Sequence, residues 1–131
     1  MTVLNRSLVL SLFLTLCLHC AGCSRKSGRY PVRPDTARTT LVSALTGWKA
    51  GLTPEALREQ SGGIVVQDLD WLGGAKLQDF ELLSDGTPVG ANLSVEVRLE
   101  LLDAENRTVS RRVWYLVGTD PALTVFRDVF H

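Results

Sequence analysis

The sequence predicts an α+β domain: an N-terminal helix and a second, short helix packed on an antiparallel meander of about four strands. Three observations carry that expectation. Between Ala37 and Trp48 apolar residues recur at helical spacing, and from Asn92 to Leu102 apolar and polar residues alternate without a break. After the first 22 residues of the 131-residue chain, about a hundred remain, enough for one small domain with one core and not for two.

The chain opens with Met1 to Arg6, a short segment with one basic residue, followed by Leu8 to Leu18, an unbroken charge-free run. That run has the length of a secretory apolar region and is too short to span a bilayer comfortably, so it reads as a signal peptide. Cys17, Cys20 and Cys23 follow in C-x-x-C-x-x-C spacing with His19 among them, a pattern that on spacing alone fits zinc or an iron–sulfur cluster. Thiolates inside an apolar run would be deprotonated only at high cost, so Cys17 and Cys20 read instead as small hydrophobes. Ala21 and Gly22 supply small residues immediately before Cys23. This stretch resembles the lipobox of bacterial lipoproteins, in which a cysteine is acylated on sulfur and becomes the new N-terminus. Cys20 stands where that pattern usually has Leu, and an uncleaved membrane anchor is the competing reading.

The resemblance implies that residues 1–22 are a lipoprotein signal peptide and that Cys23 is lipidated. It also implies a domain tied to the cell envelope by acyl chains such as palmitate. One chain gives marginal binding, whereas two or three on one cysteine give stable anchoring. Ser24, in place of Asp, makes the outer membrane the default destination.

Residues 23–35 read as a basic flexible linker. Gly28, Pro31 and Pro34 interrupt it, and Arg25, Lys26, Arg29 and Arg33 give it most of the local charge. Beside a lipid anchor those charges either approach anionic head groups or simply keep the linker solvated. The chain is neutral overall, so the remainder is mildly acidic. It lacks a basic stripe, which argues against nucleic acid as a partner. Without further cysteines the domain stands on its core, without disulfides. The sequons at Asn92 and Asn106 read as chance behind a lipobox.

The domain is expected over residues 36–131. Asp35 is a candidate N-cap for a helix burying Ala37, Leu41, Ala44, Leu45 and Trp48, with Gly51 at its C-terminal stop. Thr53-Pro54-Glu55 starts a shorter helix that turns Ala56 and Leu57 inward and ends at Ser61-Gly62-Gly63. Ile64-Val65-Val66 is a β-branched run. Lys76 to Leu83 alternates, which places Leu77 and Asp79 opposite Gln78, Phe80 and Leu82. The clearest strand carries Leu93, Val95, Val97, Leu99 and Leu101 on one face and Ser94, Glu96, Arg98 and Glu100 on the other. Asp103 to Asn106 is a turn in which Asn106 is able to take a left-handed conformation. Arg107 to Val117 returns with Val109, Val113, Tyr115 and Val117 inward, so that Glu96 or Glu100 meets Arg112 or Arg111. A turn at 118–123 leads to a last strand, Thr124 to Phe130.

Two helices leading into long antiparallel strands resemble the NTF2-like and cystatin-like group, in which a curved sheet wraps a helix. The stretches "DLDWLGGAKLQDFELL" and "YLVGTDPALTVFRD" also resemble segments of small bacterial envelope proteins of no assigned activity. Neither resemblance carries a functional residue across.

Three constellations remain. Asp68, Asp70, Gly73 and Asp79 fall at calcium-loop positions, but Leu72 occupies a ligand position and the flanking helices are missing. The competing reading makes the aspartates caps and Trp71 a plug at the end of the core. Asp68, Asp79 and Tyr115 could serve an NTF2-like enzyme working in its cone. Histidine, the usual catalytic base, occurs only at His19 and His131, and no cofactor or metal set is assembled outside the signal segment. Last, Trp114, Leu116 and Phe126 are out of phase with the buried residues of their strands. They predict an apolar patch on the outer sheet face, suited to a homodimer or an envelope protein partner, unless the linker or the short helix covers it. The functional expectation is therefore a lipid-anchored binding or interaction module rather than an enzyme.

Overall fold

The computed structural model describes residues 31–60 and 62–131. Cys23, the signal segment and most of the linker lie outside them. The described residues form helices α1 (Pro34–Lys49), α2 (Pro54–Gln60) and α3 (Leu69–Leu72) and strands β1 (Val65–Gln67), β2 (Lys76–Leu82), β3 (Thr87–Val89), β4 (Asn92–Leu102), β5 (Thr108–Gly118) and β6 (Thr124–Asp128). One curled sheet runs β1-β6-β5-β4-β2, with β3 also paired to β4.

Helix α1 starts two residues earlier than expected, at Pro34 with Arg33 as its N-cap, and the fixed φ and missing N–H of Pro34 suit a first helical turn. Asp35 is therefore not the N-cap. It sits in the first turn, and its carboxylate pairs with Arg38. The C-terminus follows the expected plan. Gly51 adopts φ +89°, and the N–H groups of Gly51 and Leu52 donate to the carbonyls of Trp48 and Gly47 at 2.9 and 3.0 Å. The predicted stripe from Ala37 to Trp48 is buried. Thr53 caps α2 through its hydroxyl, which accepts from Ala56 N–H at 3.1 Å. The two helices approach so closely at Gly47 that a Cβ there would lie 2.9 Å from Leu57 Cδ1.

The long hairpin β4–β5 is the backbone of the sheet, paired from Asn92–Gly118 to Leu102–Thr108. Asn106 turns it with φ 58°, while Asp103 Oδ1 accepts from the N–H groups of Glu105 and Arg107. All five inward residues of β4 are at most 2% exposed, and each such aliphatic side chain contributes about 1.5–3 kcal/mol of burial.

Three details depart from expectation. The sheet has six strands and is mixed, because β1 pairs parallel with β6, Val66 beside Val125. An apolar β-branched run announces a strand but not its partner or direction. In β2 the pairing jumps from Leu77–Leu101 to Asp79–Glu100, so Gln78 is an extra residue. This bulge resets the two-residue period and puts Leu77, Phe80 and Leu82 together against the core, while Asp79 is exposed. Across the hairpin Glu96 does contact Arg112, but Glu100 accepts from Ser110 Oγ at 2.9 Å and Arg111 turns toward Asp70.

Candidate functional site

Strand β5 separates two chemically different surfaces. Its inward residues Val113, Tyr115 and Val117 face α1 and the core; Trp114 and Leu116 face the other way.

On the inner side Asp68 ends β1 and caps α3. Its Oδ1 accepts from the N–H groups of Asp70 and Trp71 at 2.9 and 3.1 Å. Its Oδ2 accepts from Tyr115 Oη at 2.5 Å and from Arg127 Nη2 and Nε at 2.7 and 3.1 Å. Asp68 is 1% exposed, and such a carboxylate stays buried only when paired and hydrogen-bonded. Arg127 reaches on to Asp70 Oδ2 at 3.2 Å and lies 5.3 Å from the Tyr115 ring centroid. Burial, reinforced by the Asp68 carboxylate, pushes the Tyr115 phenol well above its ordinary 10.0. Burial opposes the charge on Arg127, but Tyr115 and Asp68 outweigh it and raise the guanidinium further.

Trp71 stacks on Trp48 with centroids 5.0 Å apart and planes at 3°. Both indole N–H groups are used: Trp71 Nε1 donates to Leu52 O at 2.9 Å and Trp48 Nε1 to Ala75 O at 2.8 Å. The cap-and-plug reading of this loop thus describes its geometry. The carboxylate that a calcium ion would need is taken by two backbone N–H groups, a phenol and a guanidinium. Asp79 is elsewhere, on the exposed edge of β2, where a hydrogen bond from Lys49 at 3.2 Å holds its carboxyl below the usual range. Of the proposed catalytic trio, Asp68 and Tyr115 meet and Asp79 does not join them. A general base needs a free lone pair directed at substrate, and Asp68 has spent its own on the fold.

A concavity of about 670 Å³ lies between the α1–α2 loop and the α3–β2 loop and is lined by Trp48 and Trp71. None of Asp68, Tyr115 or Arg127 lines it.

On the outer side, cross-strand pairing creates two rungs. Ser94, Leu116 and Phe126 form one; Glu96, Trp114 and Asp128 form the next. The three residues expected to make an apolar patch are thus adjacent and partly exposed. A shallow groove of about 390 Å³ runs over Trp114 and Leu116, bounded by Thr87 and Val89 of β3. Helix α2 packs beside β1 and α1 rather than over this face. What touches Trp114 instead is His131, whose ring stacks on the indole at 5.2 Å with an angle of 29°.

Sequence reasoning missed Arg127, Asp128 and His131. For Arg127 the signal was present: it is in phase with buried Val125, and an arginine on a core-facing position demands a carboxylate.

No family model, curated protein or solved structure matches this chain. Among the described residues no helix is long and apolar enough to cross a membrane, and the structure is α+β with a curled, mixed sheet.

Proposed function

We propose that this chain is a lipid-anchored cell-envelope protein whose folded domain is an interaction module, docking a homodimer mate or another envelope protein on the outer sheet face. The observation that carries the reading is the contiguous Trp114, Leu116 and Phe126 surface, with Trp114 and Leu116 in the floor of a groove. Aromatic residues in a desolvated patch centre are the usual anchors of such contacts. The lipobox-like segment supplies the anchor through Cys23, and the basic linker supplies the tether. A helix covered by a curled sheet supports the NTF2-like or cystatin-like assignment, while β1 running parallel to β6 departs from a simple antiparallel meander.

The alternative, a small NTF2-like enzyme, draws on one observation, the 2.5 Å contact of Tyr115 with Asp68. The saturation of that carboxylate and the absence of Asp79 from the cluster favour a structural role instead.

Membrane fractionation of cells producing the wild type and Cys23→Ser tests the anchor. The wild type is expected in the membrane fraction and the variant in the soluble or uncleaved precursor pool. Mature wild-type-like membrane partitioning of Cys23→Ser would overturn the lipid anchor.

A further inference from the structure

The outer surface carries its own cover. After β6 the chain reverses at Asp128, whose Oδ1 accepts from Phe130 N–H at 3.0 Å, and this turn lays His131 across Trp114. The imidazole Nδ1 lies 2.8 Å from Asp128 Oδ2; Asp128 is 9% exposed on its side chain, His131 52%. A single half-exposed side chain therefore lies on the indole that the interaction reading places at the centre of the docking surface. Histidine is also the side chain whose charge ordinarily changes between about pH 5 and 8.

We infer that Val129–His131 is a protonation-sensitive clasp over the Trp114 surface, closed when His131 is charged and loosened when it is neutral. The inference rests on the interaction reading and adds its regulation. As an imidazolium, His131 gains an ion pair with Asp128 and a cation–π contact with the indole; as a neutral ring it keeps one hydrogen bond and the stacking. Other charged groups border the ring, and among them Arg112, which lines the same hollow as His131, opposes its charge. From β4, Glu96 borders the same groove and favours the charged ring, though it already contacts Arg112. On the far side of the clasp Arg111 and Arg127 of β5 and β6 are each turned to Asp70. Protonation of the ring shuts the clasp, and loss of the proton loosens it.

The test follows Trp114 alone, as the difference between wild type and Trp114→Phe in acrylamide quenching of tryptophan fluorescence, at about pH 5 and pH 8. Trp48 and Trp71 are buried and cancel in the difference. The expected result is greater quenching of Trp114 at the higher pH, corresponding to a roughly two- to fivefold fall in the closed-to-open ratio, as an exposed cation–π contact implies. His131→Gln is expected to hold the open level at both pH values. Because His131 is half-exposed, the variant is expected to fold, which circular dichroism checks. Equal quenching of Trp114 at both pH values, or a pH response surviving in His131→Gln, would overturn the clasp. The readout is taken on protein diluted to the monomer, so neither result bears on whether the surface docks a partner. Loss of a complex in a surface variant tests that reading separately.

Discussion

The two faces of β5 differ in what their polar groups are for. Inside, Tyr115, Asp68 and Arg127 spend nearly every donor and acceptor on one another and on the α3 cap. Outside, Trp114, Leu116 and Phe126 form a partly bare surface edged by Glu96 and Asp128. A buried network with no spare lone pair stabilises and specifies a fold; an apolar patch with a polar rim is available for contact. One strand, read two residues at a time, thus presents a saturated polar network on one side and a partly exposed apolar surface on the other.

Substitutions on the inner face should sharpen this contrast most. Asp68→Ala leaves Arg127 half-buried without its main partner and removes the α3 cap. It is expected to cost about 3–5 kcal/mol, read as a lower denaturation midpoint in urea. Tyr115→Phe keeps the ring packed and deletes one charge-assisted hydrogen bond, at about 1–3 kcal/mol by the same assay. A cost near zero for both would mean that the network does not hold the fold.

The alkaline behaviour of Tyr115 is the next discriminator. Its phenol is held neutral above the ordinary 10.0 in the folded state, so the fold binds this proton when the unfolded chain has released it. The resulting stabilisation is complete below about pH 10 and is lost as pH climbs above it. In a Tyr30→Phe background, where Tyr115 is the remaining tyrosine, phenolate absorbance should appear only together with unfolding. Titration near the ordinary value with the fold intact would contradict the buried network.

On the outer face the effect on stability should be smallest. Trp114→Glu is expected to change the urea midpoint by an amount within about 1 kcal/mol, as surface substitutions do, while abolishing association. A collapse of stability would mark Trp114 as core and remove the basis for the contrast.

The outer face was legible from the two-residue period of β5 and β6 and the β4–β5 hairpin from the same period, while the helix stripe was legible from its helical spacing. The sequence did not reveal the bulge at Gln78, since one extra residue shifts the phase without changing composition. Nor did it reveal the parallel partner of β1, which depends on where a distant strand lies. Asp68 was readable as a cap from the Asp-Leu-Asp-Trp order, but its pairing with Arg127 joins residues 59 apart. Local periodicity carries no such information. Nor did it reveal the seat of His131 on Trp114, which follows from the reversal at Asp128.

The most direct measurement is native mass spectrometry of wild type and Trp114→Glu extracted from membranes in mild detergent. The account predicts a wild-type chain that begins at Cys23, carries acyl mass and is held in a dimer or with another protein, and a variant that is equally acylated but alone. A chain retaining its first residues and bearing metal, or a complex that survives the substitution unchanged, would contradict it.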